Sequence, residues 1–310
     1  MALGLWFCAA LPGWCAQPIA GELAGRLQRH VRTLAVDIGE RSLARKGSLQ
    51  RTASYVESCW KALGLVVATQ PVPIGRTVVE NVECRLPGDV PGREVVLIGA
   101  HYDTVRGCPG ADDNASGIAA LLELTRLLAA SPRPLPVRFV AFTQEEKLLL
   151  TGHLGSRTYA RSARERGDRI RLMLSLDTLG FYTDAPLSQR YPFPAGGRSR
   201  TGDFLGFITR TQDERWLERV CALASSAGQL PVEGIAASEE LDGIAWSDHA
   251  SFWDQGYSAL MVTDTAMFRN PSYHHPADTP DTLDFARLAR AVRLLAQVVE
   301  AVASPAPASR

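Results

Sequence analysis

The apolar positions of this chain change period along its length. Over residues 22–38 and 48–63 they recur at helical spacing, and Gly64 is a natural stop for the second helix. Residues 66–73 and 77–85 read instead as two strands, closing on Pro87-Gly88. Beyond them the two patterns take turns. Strands over 95–100, 137–142 and 170–176 are interleaved with helices over 116–130, 154–164 and 214–227. A short helix over 249–253, a strand over 258–262 and a helix over 283–302 complete the pattern. Such alternation predicts an α/β fold, a mainly parallel mixed β-sheet sandwiched between helices. Residues 183–200, rich in Pro, Gly and Arg, read as a long surface loop rimming a site. No internal repeat is visible, and 304–310 reads as a frayed tail.

The strand ends carry the chemistry. The run Val95-Val96-Leu97-Ile98-Gly99-Ala100 ends in His101-Tyr102-Asp103-Thr104, followed by Gly110-Ala111-Asp112-Asp113-Asn114-Ala115-Ser116-Gly117. A buried parallel strand places such residues at its carboxyl end, where open α/β sheets bind ligands. His101 and Asp103, two apart, share a face, so the imidazole can bind a metal while the carboxylate holds its other ring N–H. Asn114 or Ser116 is the expected cap of the next helix, leaving Asp112 and Asp113 in the loop above. The strand over 137–142 runs into Gln144-Glu145-Glu146, and that over 170–176 into Asp177. After the last strand comes Tyr273-His274-His275-Pro276-Ala277-Asp278-Thr279. Burying unpaired carboxylates is costly, so acids on four successive strand ends, two of them with histidine, are not a packing solution. They point to a divalent metal with mixed nitrogen and oxygen ligands, zinc foremost. Spacing alone leaves Asp112 or Asp113, and His274 or His275, open.

Composition narrows the partners. Of 310 residues 46% are hydrophobic, enough for a sizeable core, and 33 basic residues cancel 33 acidic ones. That balance argues against nucleic acid or another polyanion held by bulk charge. Arg157, Arg161, Arg164, Arg166, Arg169 and Arg171 read as a solvated helix face and the turn after it. The six cysteines form no CxxC, so a structural zinc knuckle is not expected, and Cys108 reads as a packed thiol. Residues 1–20 have two readings. Their apolar stretch and small residues suit an export signal, hence a periplasmic or secreted protein. The missing positive start suits a disordered N-terminus and a cytoplasmic one. No later run suits an integral membrane span.

The series His-x-Asp, Gly-Ala-Asp-Asp, Glu-Glu, Leu-Asp, Ser-Asp-His and His-x-x-x-Asp-Thr, from Asn81 to Phe285, resembles one family. It is that of the zinc peptidases (metallopeptidase family M twenty-eight), which includes bacterial leucyl aminopeptidases, glutamate carboxypeptidase and animal glutaminyl cyclases. The stretches Asp177 to Tyr182 and Thr263-Asp264-Thr265 are similar to a bacterial, functionally vague branch. The resemblance implies one catalytic domain over 21–303 and two zinc ions, one held by His101 and Asp177, the other by Glu146 and His274, with Asp113 bridging. It makes Glu145 the general base, Asp103 the support of His101, and Asp248 and His249 braces of the site. It also implies a cis peptide between Asp113 and Asn114. The expected activity is that of a dizinc aminopeptidase acting on a peptide or small aminoacyl substrate; oligomeric state is left open. A single-zinc glutaminyl cyclase is the alternative, and a non-catalytic receptor-like domain a weaker one. Two departures stand out. Lys147 to His153 replaces the Gly-Leu-x-Gly-Ser run of leucyl aminopeptidases, making His153 a rim residue. Ile244 occupies the place of a tyrosine that polarises the scissile carbonyl.

Overall fold

A computed structural model describes residues 16–130, 134–146 and 152–304 of the chain. Most of residues 1–20, read as an export signal or a disordered N-terminus, the run 147–151 and the tail beyond Ser304 lie outside the described residues. Helix α1 (Ala16–Arg32) continues through a wider turn, Thr33–Ile38, that ends at Gly39 with φ 74°. Its buried stripe of Leu23, Leu27, Val31, Leu34 and Ile38 explains the helical period. α2 (Ser48–Ala62) precedes the hairpin β1 (Val66–Ile74) and β2 (Thr77–Arg85). Then follow β3 (Glu94–His101), α3 (Gly117–Ala129), β4 (Val137–Phe142), α4 (Leu154–Glu165) and β5 (Arg169–Leu176). The chain continues with β6 (Leu205–Arg210), α5 (Glu214–Ala227), β7 (Val232–Ala237), α6 (His249–Trp253), β8 (Ala259–Thr263) and α7 (Phe285–Val302).

The eight strands form one sheet in the order β1-β2-β4-β3-β5-β8-β6-β7. The central four, β4-β3-β5-β8, are parallel, while β1 and β2 add antiparallel on one side. On the other side β6 runs antiparallel to β8, and β7 pairs with it in parallel. The sheet is therefore mixed, as expected, with two strands, β6 and β7, beyond those the sequence pattern indicated.

Strand period two divides the core. Val96, Ile98 and Ala100 of β3, with Leu172, Leu174 and Leu176 of β5, face the larger layer under α1, α2, α3, α5 and α7. Val95 and Leu97 face the smaller layer with Tyr159 of α4 and Phe252 and Trp253 of α6. Gly99 is required there: a Cβ would come within 2.2 Å of the Phe142 ring. Helices on both faces leave the carboxyl end of the parallel strands open, and that end carries the acids.

Candidate metal centre

His101 closes β3, Glu145 and Glu146 follow β4, and Asp177 follows β5, on three adjacent strands. Asp113 comes from the loop Ala111–Ser116 between β3 and α3, and His274 from the turns after β8. His101 Nε2 lies 3.3 Å from Asp113 Oδ1 and 3.7 Å from Asp177 Oδ1. His274 Nε2 lies 3.0 Å from Asp113 Oδ2 and 3.2 Å from Glu146 Oε1. Two triads result, His101–Asp113–Asp177 and Asp113–Glu146–His274, each with its ligand-type atoms within 4.8 Å of one another. Asp113 turns one oxygen to each.

The main chain fixes Asp113. The Asp113–Asn114 peptide is cis, as the family resemblance implies. Asp278 accepts from the backbone N–H groups of Asp112 (2.8 Å) and Asp113 (3.1 Å). Asn114 donates to the Leu176 carbonyl at 2.8 Å and accepts from Gly117 N at 3.0 Å, so Asn114 caps α3. Ser116, the other candidate cap, instead donates to the Asp112 carbonyl at 2.7 Å and accepts from Leu179 N. Asp112 points away from the triads, accepting from Gly180 N (2.9 Å) and Asn270 Nδ2 (2.7 Å). Geometry thus separates the two aspartates that spacing left open. It separates the histidines as well: His274 turns Nε2 to Asp113 and Glu146, whereas the main-chain carbonyl of His275 accepts from the Cys108 thiol at 2.8 Å. Cys108 is buried, its thiol pushed up to about 12 by burial, as suits a packed thiol.

Asp103 does something other than the expected carboxylate–imidazole contact. The His101 Nδ1 partner is the Asp103 main-chain carbonyl at 3.2 Å, and the carboxylate stands off at 3.7 Å. Its two oxygens accept from the backbone N–H groups of Glu145 and Glu146, each at 3.1 Å. Asp103 therefore places the glutamate pair. His249 Nε2 donates to the Ile244 carbonyl at 2.7 Å, and its ring meets Trp253 edge-on. Both Asp248 oxygens are buried without a hydrogen-bond partner among the described residues. Burial and Glu145 push the Asp248 carboxyl up to about 7. His153 belongs to neither triad; its Nδ1 stands 3.0 Å from Glu145 Oε1, off the line of a hydrogen bond.

Arg41 went unnoticed in the sequence. It is fully buried and faces carbonyls: Nε donates to Tyr102 O (2.7 Å), Nη2 to Gly110 O (2.8 Å), and Nη1 to Pro109 O (2.6 Å). Nη1 also reaches Leu34 O and Gly39 O, both at 3.2 Å. The backbone adds Thr104 N to Arg41 O at 3.0 Å. One guanidinium thus ties the end of α1 to the loop linking His101 with Asp113. An arginine just past a helix end carries no local signal for such a role.

The electrostatics suit cations. Burial opposes the His101 cation, yet Glu145, Asp103, Asp113 and Asp177 outweigh it and push the imidazole well above its ordinary value. Burial likewise opposes the Asp113 carboxylate, but hydrogen bonds from His101 and His274 hold it well below the usual range. Glu145 is pushed well up by burial and by Asp177, Asp103 and Asp113, against the pull of His101; Glu146 is pushed up by burial and Asp113. Glu146 Oε1 has no hydrogen-bond partner among the described residues although it is buried. Two imidazoles and three carboxylates with an orphaned oxygen form a donor set that fits zinc.

Beside the triads opens a cleft of about 490 Å³, lined by Glu145, Glu146, His153, Trp246, Tyr273 and His274. A narrower recess of about 40 Å³ adjoins it, between Asp177, Ile208, Met261, Met267, Phe268 and Tyr273. The expected rim loop is present: Gln189, Tyr191 and Phe193 line a further small cavity against Ile208 and Phe268.

Fold and strand-end acids together define a hydrolase of the metal-binding peptidase class, and comparison with known proteins agrees. Residues 81–299 match the profile of Peptidase family M28. The uncharacterized protein YfbL of Escherichia coli (strain K12) is 36% identical over 279 residues, covering 86% of this chain and 84% of that protein. A probable leucine aminopeptidase of Arthroderma otae is 27% identical over 66% of this chain, which spans only 54% of it. Among solved structures, a zinc aminopeptidase from Bacillus subtilis superposes at TM-score 0.68 with 17% identity, covering 89% of this chain and 94% of that one. The glutaminyl cyclase of Bacteroides thetaiotaomicron does so at 0.68 with 18% identity, covering 89% and 97%. Identities that low show the fold alone. The chain belongs to Peptidase family M28. Among the described residues no helix is long and apolar enough to cross a membrane.

Proposed function

We propose that this protein is a dizinc aminopeptidase that hydrolyses N-terminal residues from peptides. The observation that carries the reading is the pair of triads sharing Asp113, with His101 turned inward. His101 and Asp177 would hold one zinc, Glu146 and His274 the other, and Asp113 both. Zinc held there supplies Lewis acidity toward a carbonyl, lowers the pKa of water and draws protons off the surrounding carboxyls. Glu145, placed by Asp103 through its own N–H, takes a proton from the attacking water as the water oxygen bonds to the amide carbon. The carbonyl electron pair moves onto its oxygen. When the adduct collapses the C–N bond breaks, and Glu145 returns the proton to the departing amine. Asp103 holds the Glu145–Glu146 backbone still through these steps.

The second reading, a single-zinc glutaminyl cyclase, draws on the shared fold with the Bacteroides thetaiotaomicron enzyme. His101 counts against it: turned toward Asp113 and Asp177, it completes a second triad that a single zinc would leave without a role. The test is elemental analysis of purified protein with a panel of unblocked aminoacyl amides, N-blocked amides and N-terminal glutaminyl peptides. We expect about two zinc ions per chain and hydrolysis of unblocked amides. One zinc, no hydrolysis and conversion of glutamine to pyroglutamate would overturn the aminopeptidase in favour of the cyclase.

A further inference from the structure

His153 ends the run in which this chain departs from the leucyl aminopeptidases, and its surroundings give it a role of its own. Main-chain hydrogen bonds clamp its segment to the one that carries Glu145. His153 N donates to Glu145 O at 2.9 Å, Leu154 N to Gln144 O at 2.8 Å and Gly155 N to Thr143 O at 3.0 Å. The clamp sets the imidazole beside the Glu145 side chain, where both line the open cleft. His153 has a left-handed backbone at φ 56°, and Gln144 on the other side of the clamp has one at 54°. Neither is glycine, so the fold bears a local strain to put the ring there, and such strain gathers at functional sites.

His153 Nδ1 is buried and has no hydrogen-bond partner among the described residues. It lies 3.0 Å from Glu145 Oε1, near enough for a hydrogen bond but off its line. Catalytic hydrogen bonds are often poorly aligned in the free enzyme and tighten once substrate is bound. Burial lowers the imidazole pKa against the pull of Asp248, so at pH 7 the ring is neutral and carries a single N–H. Glu145 must be ionised before it can take a proton, and its oxygens then only accept. The ring proton therefore belongs on Nδ1.

We propose that His153 is a positioning residue that donates its Nδ1 hydrogen bond to Glu145 Oε1 and so turns Oε2 toward the attacking water. The inference rests on the peptidase reading above. Oε2 takes the proton as the water oxygen bonds to the amide carbon, and it returns that proton to the amine when the C–N bond breaks. His153 gives up no proton in either step; it decides which carboxylate oxygen carries one. Asp103 fixes the Glu145 main chain, and His153 fixes the far end of the same side chain. A misplacement of about 1 Å in a reacting group costs on the order of 10²-fold in rate, so the second support acts on kcat.

The test compares zinc-loaded wild type with His153→Gly and His153→Asn. Both replacements accept a left-handed backbone, so neither strains the turn into α4. Glycine removes the imidazole, whereas the asparagine amide returns an N–H donor near the place of Nδ1. With an unblocked leucyl amide, kcat should fall about 10–100-fold in His153→Gly, with KM and zinc content nearly unchanged, and His153→Asn should recover most of the loss. In a Glu145→Gln background His153→Gly should cost less than about twofold more, because the two residues act as a unit. An active wild type whose His153→Gly variant keeps its kcat overturns the assignment and leaves the peptidase reading standing. Equal losses in the glycine and asparagine variants, or losses that multiply in the double variant, do the same. Zinc loss from His153→Gly also overturns it, by making the ring part of the metal centre's scaffold. A wild type that hydrolyses no amide overturns the peptidase reading and this assignment with it.

Discussion

Replacing Arg41 with Met tests how the loop from His101 to Asp113 is held. The change keeps most of the apolar stem and removes five donated hydrogen bonds. Two of the five carbonyls keep another donor, Leu34 O from Gly39 N and Gly110 O from Ala115 N. Among the described residues, Tyr102 O, Gly39 O and Pro109 O lose their only donor. At about 1–3 kcal/mol for each buried unsatisfied group, three orphaned carbonyls cost roughly 3–9 kcal/mol. Against this stands relief from burying a cation. Burial lowers the Arg41 pKa from 12.5 to about 10 despite Asp278, Asp113 and Asp103 nearby. That difference corresponds to about 3 kcal/mol. The net expectation is a loss of about 3 kcal/mol in urea unfolding, and the loosened loop should weaken zinc binding by about 10–100-fold, as removing a ligand's support does. A stability loss under about 1 kcal/mol with unchanged zinc affinity would refute the reasoning, since the carbonyls would then be served by water at no cost.

Asp113→Ala and Glu146→Ala should lose zinc and activity together, whereas Glu145→Gln should keep its zinc while activity falls about 10²–10⁴-fold. Elemental analysis decides, and zinc loss in Glu145→Gln would reverse the two glutamates. The third prediction concerns pH. Burial pushes the His249 pKa down from 6.5 to about 4, so between those values only the unfolded chain takes up the proton. Its contribution is complete above pH 6.5 and is lost as pH falls toward 4, up to about 3 kcal/mol. Urea unfolding at pH 7 and 4.5 should show a smaller acid loss for His249→Phe than for wild type; equal losses would count against a buried neutral imidazole.

Much of the fold was legible because β3, β4 and β5 are buried on both faces and end abruptly in acids. The strands β6 and β7 were not. Val232–Ala237 is intermediate in burial at every position and holds Gly234, so it shows neither alternation nor a continuous apolar run. Leu205–Arg210 is apolar but short and follows the Pro- and Gly-rich loop, which masked its start. In the centre, residue types and order revealed which side chains could converge, since each sits at a strand end or in the loop that follows one. Their supports could not be read that way. Asp103 serves the backbone of residues some forty positions on, and Arg41 serves carbonyls more than sixty positions away. Hydrogen bonds to main-chain groups leave no trace in local composition, because any sequence offers the same carbonyls and N–H groups.

The division of Asp113 between the two triads has an evolutionary consequence. Each triad borrows a different oxygen, and the main chain beneath is fixed by Asp278 independently of either histidine. Substituting His101 alone dismantles one triad and leaves Asp113, Glu146 and His274 complete. On this scaffold a pair of triads and a single triad are therefore mutational neighbours, one strand-end residue apart.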